Sequence, residues 1–444
     1  MDVNPTCRAT LLGCLLVLGL FRPETTNGAL PPEKIILLPA GGSTAEDAEI
    51  SRWQERVRAQ ESQEFHYERL GWAFVAKARR TQDAGCYRLA EAVAEAMAAR
   101  FGPSPDAQLL RGHALHNLHR FAEAEQVART LVAQRGLAAD HALWSDTLLE
   151  LGRIDEAVAA CQRAVDLRPG AESFARVAHL RWLKGDLAGA ESALVAALAA
   201  ASTSGAETRA WLAVRLSGLR LQAGDAAGAL RIADQAAALV PDYAPALLAG
   251  GRALLAQARP HEAAVRIERG AELNPLPEYQ WWLAEAVRAA DDPVRAAGLE
   301  RELEERGEAS DPRTLSLFLA TRGRAAARAV ALAEAEQASR NDGFTHDAVA
   351  WARFAAGDLE GADRAMALAL AHGTQDARLR LHAGLIAAAA GRAEESRHHL
   401  ELARRYAGSL TPSERALLPR LEAGVTAPNR DLTAPSTSLV GNQN

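Results

Sequence analysis

A glycine followed by Asp or Arg, with a small residue five positions after the glycine, recurs along this 444-residue chain. It stands at Gly152-Arg153 with Ala157, Gly185-Asp186 with Ala190, Gly224-Asp225 with Ala229 and Gly357-Asp358 with Ala362. Weaker copies put the small-residue place at Ala124, Ala263, Ala297, Arg328 and Ser396. Successive places are then 33, 33, 39, 34, 34, 31, 34 and 34 residues apart. A period near 34 is that of a helical hairpin copied in tandem, and such self-similarity constrains the architecture before any other argument. Composition agrees: hydrophobic residues make up 48% of the chain but aromatic ones only 5%, so the apolar share rests on Ala and Leu, which suit close-packed helices.

One hairpin of this length cannot stand alone. Ordering about 34 residues at roughly 1.5 kcal/mol each costs about 50 kcal/mol, which needs roughly 2000 Å² of apolar burial. Only stacking on neighbouring hairpins supplies that area, so the units must form a continuous array.

The first copy opens with Tyr67, Leu70, Gly71 and Phe74, an aromatic, then Leu-Gly, then an aromatic. Second halves carry Ala157 with Cys161 and Pro169, and Ala263 with Ile267 and Pro275. These residues resemble the tetratricopeptide repeat in its opening signature, small residue, apolar residue and closing proline. Each has a mechanical cause: the small residue lets two helix backbones approach, the Gly adopts turn angles costly for others, and the Pro stops the second helix. The resemblance implies an all-α, right-handed α-solenoid of about ten stacked helix-turn-helix repeats, with the first helices lining the concave side. Arg328 at a small-residue place and Pro293 in an inter-helix turn depart from the pattern and blur the register of the sixth and seventh units.

The ends read differently. Arg8 precedes an apolar run from Ala9 to Phe21, closed by Gly28 and Ala29, which reads as an export signal. That run of 13 residues is shorter than the roughly 20 needed to span a bilayer as a helix. Leu11-Leu12-Gly13-Cys14 resembles a lipoprotein cleavage box, but most of the apolar run follows Cys14, where such a box ends the run. The expected organisation is a signal peptide over 1–28, a linker and lead-in helix over 29–63, the solenoid over 64–408, a capping helix over 409–422 and a disordered tail over 423–444. The mature product is expected to be exported, periplasmic or secreted, with no transmembrane segment. It keeps Cys86 and Cys161, in different repeats and too few for a disulfide framework.

A formal charge of -6 leaves no basic excess for phosphates, which argues against a nucleic-acid partner. No Gly-rich phosphate loop, nucleophile elbow or paired Cys-x-x-Cys occurs, and His261-Glu262 lacks the second His of a zinc helix. Neither a catalytic residue nor a cofactor is therefore assigned. At 100° per residue, the first helix of each unit carries two stripes, one packing the hairpin and one facing the groove. The groove stripe reads Trp72, His113, His116, Asn117, Asp146, Glu150, His179, Trp182, Trp211, Arg252, Tyr279, Trp282, Arg313, Phe344, Asp347, Trp351, Phe354 and Arg378. Trp144 and Trp281 fall on the packing stripe, and Trp53 is placed to cover the first unit's exposed end. Aromatic and Arg side chains anchor partners, so the expected function is a scaffold or adaptor holding a protein or peptide in the concave groove. A carbohydrate stacked on Trp faces, or a divalent metal held by His113, His116, Asp146, Glu150 and His179, is the alternative.

Overall fold

From the second hairpin on, the turn inside each hairpin holds one residue in the left-handed backbone region, and this is why the Gly-Asp and Gly-Arg pairs recur. In the computed structural model, which describes residues 31–39, 41–59, 62–81 and 83–426, Gly152, Gly185, Gly224, Gly357 and Gly391 hold φ between 75° and 87°. Asp186, Asp225 and Asp358 then cap the second helix by accepting the N–H of Gly189, Gly228 and Gly361. Where the cap is Arg, a Glu three residues on binds its guanidinium, as in Arg153 with Glu156 and Arg259 with Glu262.

Two lead-in helices, α1 (Pro32–Ile35) and α2 (Ala45–Arg58), precede ten hairpins. These are α3 (Glu64–Thr81) with α4 (Ala84–Phe101), α5 (Pro105–Asn117) with α6 (Phe121–Gln134), and α7 (Ala138–Glu150) with α8 (Ile154–Leu167). Next come α9 (Ala171–Leu183) with α10 (Leu187–Ala200), α11 (Ala206–Gln222) with α12 (Ala226–Leu239), and α13 (Ala244–Ala256) with α14 (Pro260–Leu273). The last are α15 (Pro277–Ala289) with α16 (Pro293–Ser310), α17 (Pro312–Arg322) with α18 (Ala326–Gln337), α19 (Gly343–Ala355) with α20 (Leu359–Ala369), and α21 (Ala377–Ala389) with α22 (Ala393–Arg405). Among the described residues there is no strand. The protein is an α-solenoid.

Small residues at the crossings are fully buried, from Ala124, Ala157 and Ala190 to Ala362 and Ser396. Two places differ from the sequence register. The buried residues of the seventh and eighth units are Ala296 and Ala329, one position away from Ala297 and Arg328. Arg328 points outward to Glu308, 2.9 Å away, and Ser316 donates to the Ala329 carbonyl across the crossing at 2.7 Å. The steps from Ala263 to Ala362 thereby become a uniform 33 residues. Pro293 is the first residue of α16 rather than a turn residue, a place where its missing N–H costs nothing.

At the C-terminus, the single capping helix expected over 409–422 is two helices, α23 (Pro412–Arg415) and α24 (Leu418–Thr426), after a 3-10 turn at Ala407–Ser409. The expected tail from 423 thus begins inside α24, and residues 427–444 lie outside the described residues, as does the signal at 1–28. No helix among the described residues is long and apolar enough to cross a membrane. Cys86 and Cys161 are both buried and unpaired, and burial pushes each thiol up to about 11.

The array does not stay open. The Asn341 N–H donates to the Glu150 carbonyl at 2.8 Å, and Gln222 Nε2 donates to the Gln375 carbonyl at 3.0 Å. A Cβ on Gly185 would sit 2.5 Å from the Gly373 carbonyl oxygen, so this glycine serves both its turn and a backbone approach across the hollow. The C-terminal segment adds to the closure: Glu285 accepts from the Ser413 N–H and hydroxyl at 3.1 and 2.8 Å. Tips of the ninth and tenth units thus meet the third to fifth, and the groove becomes a chamber.

Candidate functional site: a closed chamber

First helices run side by side, so one face of each points into the shared hollow. The chamber there has a volume of about 600 Å³. Leu149 and Glu150 come from α7, His179 and Trp182 from α9, Arg215, Leu219 and Gln222 from α11. Arg252, Glu278 and Arg313 follow from α13, α15 and α17, and the turns before α19 and α21 add Arg340, Asp342 and Asp376. A smaller recess of about 180 Å³ adjoins it, walled by Trp281, Trp282, Asp347 and Arg378 and sharing Arg313 and Phe344.

Of the groove residues expected from sequence, Glu150, His179, Trp182, Arg252, Arg313 and Phe344 line the chamber, and Trp282, Asp347 and Arg378 line the recess. Trp182 stacks on Phe344 with ring centroids 5.4 Å apart, and its Nε1 donates to Gln222 at 2.7 Å. Other members of the stripe lie elsewhere. Trp72 rests on His113 with centroids 5.4 Å apart, His116 packs edge-on to Phe121, and Asn117 donates to the His113 carbonyl. Tyr279, Trp351 and Phe354 are core residues, with Trp351 stacked on His382 at 4.0 Å. Trp211 is 39% exposed, with the Arg215 guanidinium over its ring at 5.5 Å.

The proposed metal patch has other partners. Both oxygens of Asp146 are taken by Arg176, at 2.8 and 2.8 Å, and Glu150 binds Arg340. His179 Nδ1 faces Arg215 Nη2 at 2.9 Å, and His113 Nε2 faces Arg79 at 3.4 Å. Among the described residues no three His, Cys, Asp or Glu side chains gather as a metal would require. Burial, helped by these neighbouring guanidiniums, pushes His113 and His179 down to about 3, so both are neutral hydrogen-bonding rings at physiological pH. For Asp146 burial acts upward, but Arg176 outweighs it and holds the carboxyl below its ordinary range.

Sequence reasoning missed Arg215, Gln222, Arg340, Asp342 and Asp376. The first two were within reach: Trp211, Arg215, Gly218 and Gln222 follow the spacing of one helix face. The other three sit in inter-unit turns outside any repeated stripe, and no periodic signal marks them.

A tetratricopeptide-repeat family model matches residues 144–170, which run from mid α7 to just past the end of α8. Several solved structures are similar. The thermophilic TPR protein TTC0263 of Thermus thermophilus is 21% identical, with 44% of this chain and 100% of that chain covered and a TM-score of 0.39. The human IFIT1 dimer with PPP-AAAA is 13% identical over 82% of this chain and 96% of that chain, at a TM-score of 0.46. PilW, a widely conserved type IV pilus biogenesis factor, is 13% identical over 48% and 98%, at 0.41. No curated protein sequence matches the chain. The repeat matched at 144–170 lies within ten consecutive, stacked helix pairs, so the chain is an α-solenoid that contains a tetratricopeptide repeat.

Proposed function

We propose that the protein is an interaction scaffold that holds a protein partner at the rim of its hollow, with Trp211 and Arg215 as the anchors. Closure of the hollow disfavours an extended peptide threaded along all ten units and leaves the rim for a compact contact. Trp211 carries the reading: it is a large aromatic left 39% exposed, one helical turn ahead of Arg215 on the same face of α11. Such aromatic and Arg anchors, once buried by a partner, supply about 2 kcal/mol or more each, so two give about half of the roughly 8 kcal/mol that micromolar binding needs and surrounding contact supplies the rest.

The test is affinity capture from the native extract with wild-type and Trp211→Ala baits side by side. A protein retained by the wild type and lost by the variant, with helicity and melting temperature unchanged, supports the rim. Equal retention by both baits overturns it. We also place the scaffold outside the cytoplasm, on the Arg8 and Ala9–Phe21 pattern. Mass spectrometry of the native protein should find a mature N-terminus near residue 29, and an intact Met1 start would count against export.

A further inference from the structure

Four guanidiniums line the chamber, and only two are answered by carboxylates. Arg340 binds Glu150 and lies 2.9 Å from Asp342, and Arg313 lies 3.2 Å from the same Asp342. Arg215 and Arg252 are different. Among the described residues Arg215 has no carboxylate partner; its polar contact is the neutral His179 ring at 2.9 Å. Arg252 has Glu278 at 4.0 Å, too far for a hydrogen bond, and its Nε has no partner. Each lies over an indole, Trp211 at 5.5 Å and Trp282 at 4.8 Å, which attracts the charge but accepts no N–H in the guanidinium plane.

Two of the nearby acids are held elsewhere, and Glu278, half exposed, stays 4.0 Å from Arg252. Asp342 caps α19 by accepting from the Thr345 N–H, and Asp376 caps α21 by accepting from the Arg378 and Leu379 N–H groups. The Arg252 side chain is 28% exposed, yet protein surrounds both guanidiniums, and this desolvation pushes both below their ordinary range. A guanidinium carries five N–H donors, so two of them with few acceptors leave a directed, unspent hydrogen-bonding capacity facing the hollow.

We propose that the chamber binds a small organic oxyanion, a carboxylate or a phosphate monoester, through Arg215 and Arg252. Leu149, Leu219 and the Trp182 ring supply an apolar wall for its organic body, and about 600 Å³ falls within the range of small-molecule sites. The oxyanion supplies the in-plane acceptors that the chain withholds. This site shares Arg215 with the partner rim but not Trp211 or Arg252, so Trp211→Ala losing the partner with anion binding intact, or Arg252→Gln losing the anion with capture intact, tells the two readings apart.

The experiment follows thermal unfolding of the full chain with succinate, glycerol phosphate and inorganic phosphate, at ionic strength matched with sodium chloride. A saturable rise in melting temperature is expected with an organic probe, and Arg215→Gln and Arg252→Gln should each weaken binding tenfold or more. A response to succinate alone assigns the carboxylate, and to glycerol phosphate alone the phosphate monoester. Without ligand, both variants should melt no lower than wild type, because each removes an uncompensated charge. A clearly lower melting temperature for both would assign the arginines to structure instead. Absence of any saturable response, a response kept in both variants, or inorganic phosphate acting as well as the organic probes would overturn the proposal.

Discussion

The two halves of the solenoid use the same stripe of the first helix for opposite ends. In the N-terminal half, Glu150 and His179 remain partly open and Trp211 is exposed. In the C-terminal half, the equivalent Tyr279, Trp282, Asp347, Trp351 and Phe354 are buried. Trp351 and Phe354 belong to one continuous core that runs from Trp281 to Leu421. Tyr279 and Trp282 are buried against α13, α14 and α16, while around Trp351 and Phe354 the C-terminal segment joins the core: Glu414, on α23, pairs with Arg378 from α21, and Ser413 reaches Glu285 on α15. A place in the repeat therefore fixes which way a side chain points, but what it meets depends on what else fills the hollow.

The sharpest break of this comparison is truncation of one Trp from each half. Trp351→Ala removes a side chain 5% exposed and stacked on two rings, and should cost about 3–5 kcal/mol in urea unfolding. Trp211→Ala should cost less than about 1 kcal/mol. Equal costs would mean that the two halves present their stripes alike.

A second, smaller effect concerns acid. His113 and His179 are held down to about 3, chiefly by burial, whereas an unfolded His titrates near 6.5. Below pH 6.5 the unfolded chain takes up protons that the folded chain refuses, so stability is full above that pH and falls as pH drops toward 3. From pH 7 to 5 the loss should be about 1 kcal/mol per His, discounted from roughly 2 because water reaches both rings. Hydrogen exchange should show α5 and α9 losing protection, and His113→Gln with His179→Gln should flatten the slope. An unchanged slope in that double variant would remove these two rings as its source.

The smallest expected effect separates closure from turn chemistry. Gly185→Ala and Gly224→Ala both place a side chain at positive φ, costing about 1 kcal/mol each. Only at Gly185 does the new Cβ meet another part of the chain, the Gly373 carbonyl oxygen, while nothing lies within 4 Å at Gly224. Gly185→Ala should therefore also loosen the chamber, read as a larger radius of gyration in small-angle scattering. Identical scattering from the two variants would show that the approach at Gly185 does not hold the halves together.

Much of this was legible beforehand. Gly152-Arg153 with Ala157 announced the turn and crossing, and the opening run from Tyr67 to Phe74 announced the hairpin, because such rules act between residues a few positions or one repeat apart. The one-residue slip at Ala296 and Ala329 arose where Arg328 occupied the place beside the buried Ala, so residue type alone misled the register. Half of the chamber was missed for another reason. Arg340, Asp342 and Asp376 act from turns outside any repeated stripe, and Arg340 meets Glu150 190 residues away in sequence.

The sequence by itself determined the hairpin, its period and its stacking, since all of these are set by short-range packing repeated along the chain. Only the tertiary structure decided that the hollow closes, that Trp351 becomes core while Trp211 stays at the rim, and that Arg215 and Arg252 share a chamber. Closure depends on small angles between neighbouring units adding up until Glu150 meets Arg340 and Gln222 meets residue 375. No local pattern records that sum.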